Sequence, residues 1–288
     1  MQKMENVRQL VSQGTKRLKA AGVPEADYDA RQLLFACTGL TEASFLADPG
    51  RTVSADQQEQ YLNMLALREK RIPLQHILGK AWFYGREFFV SGDVLIPRPD
   101  TEILVEEALR VIRPGDSVLD VCTGSGCILL TLACEQKLQA ALGTDISAKA
   151  LEMAEKNRRH LQQDIQAESL AFARGDLLEP AAGRRFDVIV SNPPYICSGV
   201  IADLAPEVRD HDPRLALDGG EDGLDFYRRI ADGAGEHLVP GGSIFLEIGY
   251  DQAEAVKRIL RHVSFTDIAV IRDYGGNDRV VRGVYGRS

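Results

Sequence analysis

From residue 116 onward the chain repeats one unit, a short apolar strand, a turn and a helix: SVLDV then GCILLTLACE, QAALGTD then SAKALEMAEKNRRHLQQ, followed by LAFARGD and FDVIVSN. Strand-length apolar runs alternating with longer amphipathic segments satisfy their backbones and bury both apolar surfaces as a mostly parallel sheet with helices on both faces. After a long loop come GLDFYRRIADGAGEHL as helix, GGSIFLEIG as strand, DQAEAVKRILRHV as helix, and FTDIAVIRD and DRVVRGVYG as strands. Only a turn with Gly275 and Gly276 separates these last two, so one or both pair antiparallel at an edge. The predicted fold is α/β and doubly wound: seven strands, mostly parallel, with an antiparallel edge.

Ahead of it lies a different pattern. Residues 5 to about 70 carry apolar side chains at three- and four-residue spacing, with Gly22, Pro24 and Gly39 as helix stops and Ser54 as an N-cap. In PLQHILGKAWFYGREFFVSGDVLIP, aromatic and β-branched residues flank Gly85, which predicts a β-hairpin. DTEILVEEALRVI is the next helix, with Asp100 or Thr101 as its cap. The expected division is a helical domain over 1–72, a hairpin linker over 73–97 and the sheet domain over 98–288.

Charge and cysteine content exclude several classes. A net charge of −8, with nine Lys and Arg matching nine Asp and Glu over residues 1–70, argues against extended nucleic-acid binding, which needs cations to displace counterions from phosphates. Five cysteines without a C-x-x-C pair support neither a disulfide framework nor a zinc site, so no metal is expected. No run approaches the roughly 20 apolar residues of a membrane span, and MQKMENVRQL lacks an apolar signal core, so no membrane partner and a cytoplasmic location are expected.

In doubly wound sheets ligands bind beyond the carboxyl ends of the strands. The first such loop is Cys122-Thr123-Gly124-Ser125-Gly126, where glycines admit close backbone approach and a helix N-terminus supplies free N–H groups. A dinucleotide fingerprint would continue to a third glycine, but Leu129 stands there. Asp145, ending the second strand, is placed to accept from ribose hydroxyls; Asp176, ending the third, can accept from an adenine amine with Leu177 against the ring. Both aspartates also fit a plain turn or capping role. A carboxylate-rich site with no Lys or Arg in its glycine loop suits a cofactor without phosphates and with a positive charge, such as the sulfonium of S-adenosylmethionine.

The last loop is Asn192-Pro193-Pro194-Tyr195. Proline has no N–H, so carbonyls around it are presented without competing donors, and it forces the preceding Asn192 to an extended conformation. The Asn192 side-chain oxygen and the Pro193 carbonyl can then each accept one N–H of a planar –NH2 group, with Tyr195 against its flat face. Such a nitrogen has a delocalised lone pair, so orientation and carbonyl dipoles must supply what basicity does not. Adenine and glutamine both satisfy this description.

These residues resemble the S-adenosylmethionine-dependent methyltransferases with an N-P-P-Y motif and, more narrowly, the peptide chain release factor glutamine methyltransferases of the HemK or PrmC type. The likeness runs through PLQHILG, WFYGREFFV, LIPRPDTEILVE, VLDVCTGSGCI, GTDIS, FDVIVSNPPYI, PEVRDHDPRLALDGGEDGL, LVPGGSIFLEIG and RDYGGNDRVVRG. It implies a methyltransferase sheet and a bacterial-type release factor as partner, methylated on the glutamine N5 of a Gly-Gly-Gln tripeptide. The helical domain and hairpin would grip the rest of that protein. It also implies that Cys122 to Gly126 contact the methionine and ribose parts of the cofactor, Asp145 the ribose and Leu177 the adenine region. Asn192 to Tyr195 would hold the substrate, Asn192 also bordering the cofactor. Arg98, Pro99, Asp100 and Glu102 would line or brace the mouth. Cys122 departs from the D-x-G-x-G-x-G pattern at its first glycine. The rivals are an adenine-N6 nucleic-acid methyltransferase acting on a flipped base, a ribosomal-protein glutamine methyltransferase, and a non-catalytic binding module. The lone His211, in the loop after Tyr195, carries no motif.

Overall fold

The alternation of apolar and β-branched residues beyond residue 116 does become strands in the computed structural model, which describes residues 5–286. After a hairpin of β1 (Lys80–Phe83) and β2 (Arg86–Phe89), the strands are β3 (Ser117–Val121), β4 (Ala140–Asp145), β5 (Leu170–Arg174), β6 (Phe186–Ser191), β7 (Leu238–Glu247), β8 (Phe265–Arg272) and β9 (Asp278–Tyr285). Seven of them form one sheet in the order β5-β4-β3-β6-β7-β9-β8. The pairs from β5 through β7 are parallel, and β9 is antiparallel to both its neighbours. The last strand therefore inserts between β7 and β8, and β8 becomes the edge. Strand order reverses direction at β3 and β6, whose carboxyl ends carry Cys122 and Asn192.

Because side chains alternate across a strand, each central strand feeds two cores. Val118, Val188, Val190, Phe245 and Val280 pack with helices Glu102–Leu109 and Cys127–Glu135 on one face. Leu119, Val121, Ile189, Leu246 and Val281 pack with Tyr227, Ile230, Val256 and Leu260 on the other.

The helical unit reaches to Gly79 and also takes in Ala205–His211, a piece of the long loop; the sheet unit holds Lys80–Leu204 and the chain from Asp212 on, hairpin included. Its helices are α1 (Val7–Ala20), α2 (Ala26–Thr38), α3 (Glu42–Ala47), α4 (Ala55–Glu69) and α5 (Leu74–Leu78). Ser54 caps α4 through its side chain, and Gly39 ends α2 in the left-handed conformation. Leu10, Leu18, Leu33, Leu34, Tyr61 and Leu65 fill the core. Gly14 makes room for it: a Cβ there would lie 2.0 Å from the Tyr61 hydroxyl oxygen, which donates to the Leu10 carbonyl at 3.2 Å. Among the described residues no helix is long and apolar enough to cross a membrane.

Candidate active site

The glycine loop leaves β3 through three left-handed residues, Cys122 (φ 62°), Gly124 (56°) and Gly126 (79°). That conformation costs a side-chain-bearing residue about 1–2 kcal/mol, which is the physical reason a glycine is expected where Cys122 stands. Gly126 caps helix Cys127–Glu135, and a Cβ on it would press on Leu130, Ala154 and Phe172 at 3.1–3.2 Å. Beneath the loop, fully buried Asp120 accepts from the Thr123 hydroxyl at 2.6 Å, while its Oδ1 has no hydrogen-bond partner. Burial pushes the Asp120 carboxyl up to about 7, against the Thr123 and Leu129 hydrogen bonds that favour its charge. Asn157, also fully buried, donates to the Ser125 carbonyl at 2.9 Å and braces the loop from the side.

Asp145 closes the loop. Its Oδ2 accepts from the Gly124 N–H at 2.9 Å and its Oδ1 from the Ser147 N–H at 2.9 Å, so each oxygen keeps a lone pair for a ligand hydroxyl. Burial raises its pKa against these backbone bonds. Leu177 is left-handed (φ 51°), and its carbonyl receives the Thr144 hydroxyl at 2.7 Å. Asp176 is bound by Arg229 at 2.5 Å, so a ligand amine there would share its carboxylate with a guanidinium.

These residues surround a cavity of about 220 Å³ in the sheet unit. Cys122, Thr123, Gly124, Ser125, Asp145, Asp176, Leu177, Asn192 and Pro194 line it; Gly126, Pro193 and Tyr195 do not. Ile146 and Leu215 also line it while 47% and 54% exposed, an apolar pair suited to a flat ring. The donor set fits a cationic nucleoside: the Asp145 carboxylate with lone pairs to spare, apolar walls, and the cavity's two arginines already neutralised, Arg98 by Asp212 at 2.6 Å and Arg229 by Asp176.

The Asn-Pro-Pro-Tyr loop begins where Ser191 ties β6 to β3 by donating to the Val121 carbonyl at 2.6 Å. Asn192 Nδ2 donates to the Thr101 hydroxyl at 3.3 Å. Pro193 and Pro194 are buried. Tyr195 packs against the core around Tyr227, and its hydroxyl is pushed up to about 12 by burial and the nearby Glu247. Gln252 holds the Tyr195 carbonyl at 2.9 Å. The GGEDG run explains itself here: a Cβ on Gly219 or Gly223 would strike the Pro194–Tyr195 backbone at 2.8 or 2.4 Å.

The flanking residues are placed as braces. Glu102 accepts from the Tyr84 N–H at 2.7 Å and Asp100 pairs with Arg279 at 3.2 Å. Thr101 occupies the cap position of its helix but makes no side-chain capping bond; its hydroxyl is turned to Asn192 instead. Asp100 lies in the 3₁₀ turn Pro99–Thr101 ahead of that helix. His211 belongs to the helical unit, where its Nε2 meets the Lys70 carbonyl at 3.2 Å.

Residues 9–79 match the PrmC N-terminal domain family and residues 99–205 the methyltransferase small domain family. A release factor glutamine methyltransferase of Agrobacterium fabrum is 42% identical over 272 residues, covering 92% of this chain and 93% of that one. The chain belongs to the release factor glutamine methyltransferase family. A second member, from Caulobacter vibrioides, is 41% identical over 270 residues, covering 93% of this chain and 92% of that one. The fold is shared more widely: a methyltransferase structure from Pyrococcus furiosus superposes with a TM-score of 0.53 at 18% identity, over 81% of this chain and all of that one.

In this methyltransferase, several cavity residues lie outside the strand-end motifs. Phe226 and Arg229 come from helix Asp225–His237, and Leu215 and Ala216 from the turn before it. The one local signal for that region was the glycine run at 219–223, whose close packing on the Asn-Pro-Pro-Tyr backbone brings both segments to the site.

Proposed function

We propose that this enzyme transfers a methyl group from S-adenosylmethionine to the side-chain amide nitrogen, N5, of the glutamine in the Gly-Gly-Gln tripeptide of a peptide chain release factor, in the cytoplasm. The observation that carries the reading is the bond from Asn192 Nδ2 to Thr101. With the donor edge of Asn192 engaged, its acceptor edge is left for a ligand N–H at the wall of a cavity suited to a cationic nucleoside.

The cofactor supplies an electrophilic methyl on a sulfonium. The protein's part is geometric and electrostatic. Asn192 Oδ1 and the Pro193 carbonyl hold the two amide N–H groups of the substrate, which aims the nitrogen lone pair at the incoming carbon. Transfer would form the N–C bond as the S–C bond breaks and the cofactor leaves as a neutral thioether; the same carbonyl dipoles would stabilise the positive charge that grows on nitrogen until the nitrogen gives up one proton. Asp145 would hold the ribose, the Cys122–Gly126 backbone the amino-acid end, Leu177 the adenine ring and Asp176 its exocyclic amine. Tyr195 stiffens the loop from the core side. The helical domain over 1–72 and the linker over 73–97 recognise the remainder of the release factor. A net charge of −8 and the names of the relatives favour a protein substrate over a nucleic acid.

The test offers methyl-labelled S-adenosylmethionine with a release factor, a ribosomal-protein mixture and duplex DNA in parallel. Label should enter the release factor and be lost when its Gly-Gly-Gln glutamine is changed to alanine. Label in DNA or ribosomal protein alone would overturn the reading.

A further inference from the structure

Thr101 stands at a helix N-terminus without capping it, is 2% exposed, and accepts a hydrogen bond from Asn192 Nδ2. Glu247, the last residue of β7, is 1% exposed. The Thr101 and Tyr195 side chains lie near enough to the Glu247 carboxyl to favour its charged form, and its Oε2 has no hydrogen-bond partner. The backbone around this carboxyl is fixed: the Tyr227 hydroxyl donates to the Glu247 carbonyl at 2.8 Å, and Gln252 bridges the Gly249 N–H and the Tyr195 carbonyl, each at 2.9 Å.

A threonine hydroxyl has one proton to give. An ionised carboxylate can only accept, so the Thr101 proton points to Glu247 and its lone pairs point to Asn192. Only an N–H can meet a lone pair there; the flipped amide would set two oxygens against each other. We propose that Thr101 and Glu247 are positioning residues, a directional relay that fixes the Asn192 amide with Oδ1 toward the cavity, where the substrate amide is received. This rests on the proposed reaction for its kinetic consequences, but not for the amide orientation itself.

The relay has a pH signature. Burial pushes Glu247 up to about 7; Thr101, Arg279 and Tyr195 favour its charge and Asp100 opposes it. Once protonated, Glu247 can donate to Thr101, and the hydroxyl is then free to turn its own proton to Asn192 Oδ1, which reverses the polarity. Turnover should therefore fall below about pH 7.

The experiment pairs Thr101→Val with Thr101→Ser. Thr101→Val should lower kcat about 10- to 100-fold, less than the roughly 100- to 1,000-fold that follows loss of a group touching the transition state itself, with KM for the release factor and Kd for S-adenosylmethionine nearly unchanged. Thr101→Ser, which keeps the hydroxyl, should restore kcat to near the wild-type value. Glu247→Gln should remove the acid limb of the kcat profile. Independently of substrate, the Asn192 side-chain NH2 resonances in ¹⁵N-labelled protein, assigned by their loss in Asn192→Asp, should shift in Thr101→Val and not in Thr101→Ser. A folded Thr101→Val with wild-type kcat, a Thr101→Ser as slow as Thr101→Val, or unmoved Asn192 resonances would overturn the relay. Wild-type protein that leaves the release factor unlabelled while the resonances move would sink the proposed substrate and leave the relay standing.

Discussion

In the helical unit, Arg68 is 5% exposed, and its guanidinium meets Asp29 at 2.7 Å and Glu207 at 2.8 Å; Arg71 completes the cluster on Glu207 at 2.6 Å. Two cations face two carboxylates, and the charges cancel. In the sheet unit, Asp120 and Glu247 are just as buried, yet each keeps one carboxylate oxygen without a hydrogen bond, and neither has a salt-bridge partner among the described residues. The titration of the groups follows. Burial opposes the charge of Glu207, but Arg71 and Arg68 outweigh it and hold the carboxyl down to about 2; at the more deeply buried Asp29 burial outweighs Arg68 and raises the pKa, and Asp120 and Glu247 are pushed up to about 7. Breaking a buried ion pair strands its partner, whereas incompletely paired buried carboxyls stay poised to take up a proton.

The largest effect expected belongs to the sheet unit and touches turnover alone. Asn192→Ala should reduce kcat by about 100-fold or more, the magnitude of losing a transition-state hydrogen-bonding partner, with little change in cofactor affinity by calorimetry or in Tm. Full activity of this variant would end the two-acceptor account of the loop. Next is Asp145→Ala. It removes a partner of Gly124 and Ser147 as well as the proposed ribose acceptor, and should weaken S-adenosylmethionine binding by about 10- to 100-fold, equivalent to one or two charge-assisted hydrogen bonds. Unchanged Kd would show that the nucleoside does not use this carboxylate.

The helical unit should answer in stability. Glu207→Ala strands Arg68 and Arg71 beside a single carboxylate, and because Glu207 is part-exposed the loss should be about 1–3 kcal/mol, below that for a fully buried pair. Urea unfolding followed by amide exchange on α2 and α4 reads it; a loss of less than a few tenths would mean that the cluster is solvent-screened. Glu207 and the two carboxyls of the sheet unit should also respond to pH with opposite sign. Glu207 has a lowered folded pKa, so its contribution is present above its ordinary value of 4.5 and lost as pH falls toward about 2. Asp120 and Glu247 have raised folded pKa values, so stability is greatest below their ordinary values and declines as pH rises toward about 7. Each group changes stability by at most about 1.4 kcal/mol per pH unit. Exchange protection of α4 should climb from pH 2 to 4.5, and that of β3 should decline from 4.5 to 7. Glu207→Gln should flatten the first slope, and Asp120→Asn with Glu247→Gln the second; slopes of one sign in both units would break the comparison.

The same contrast explains how far the chain could be read without coordinates. The sheet, its two helical layers and the Ser54 cap were legible because period-2 and period-3.6 patterns and cap chemistry are local. The strand-end loops were legible because parallel sheets put ligands there, and they converge on one cavity. What escaped was set by partners far along the chain: Glu207 meets Arg68 across 139 residues, Asp176 meets Arg229 across 53, and β9 slips between β7 and β8 with no local mark. Thr101 was readable as a cap since Thr before a helix is what a cap looks like; only burial beside Asn192, 91 residues on, turned its hydroxyl elsewhere.

The smallest expected effect tests Cys122, the left-handed residue of the Cys122–Gly126 loop that is not a glycine. Cys122 is held at φ 62°, so Cys122→Gly relieves about 1–2 kcal/mol of left-handed strain. It also frees the unfolded chain, at a cost of roughly 0.4–1 kcal/mol, and gives up the contact of a half-buried thiol with the core. These terms nearly cancel, and the net change should lie within about 1 kcal/mol. Cofactor affinity should hold, because the loop conformation is the one glycine already prefers. The opposite change at Gly124, also left-handed, has no such compensation: Gly124→Ala adds strain where the backbone N–H must reach Asp145 at 2.9 Å. If Cys122→Gly weakened S-adenosylmethionine binding more than Gly124→Ala did, the thiol itself would be a ligand contact, and the sheet unit would hold one more polar group aimed into its cavity.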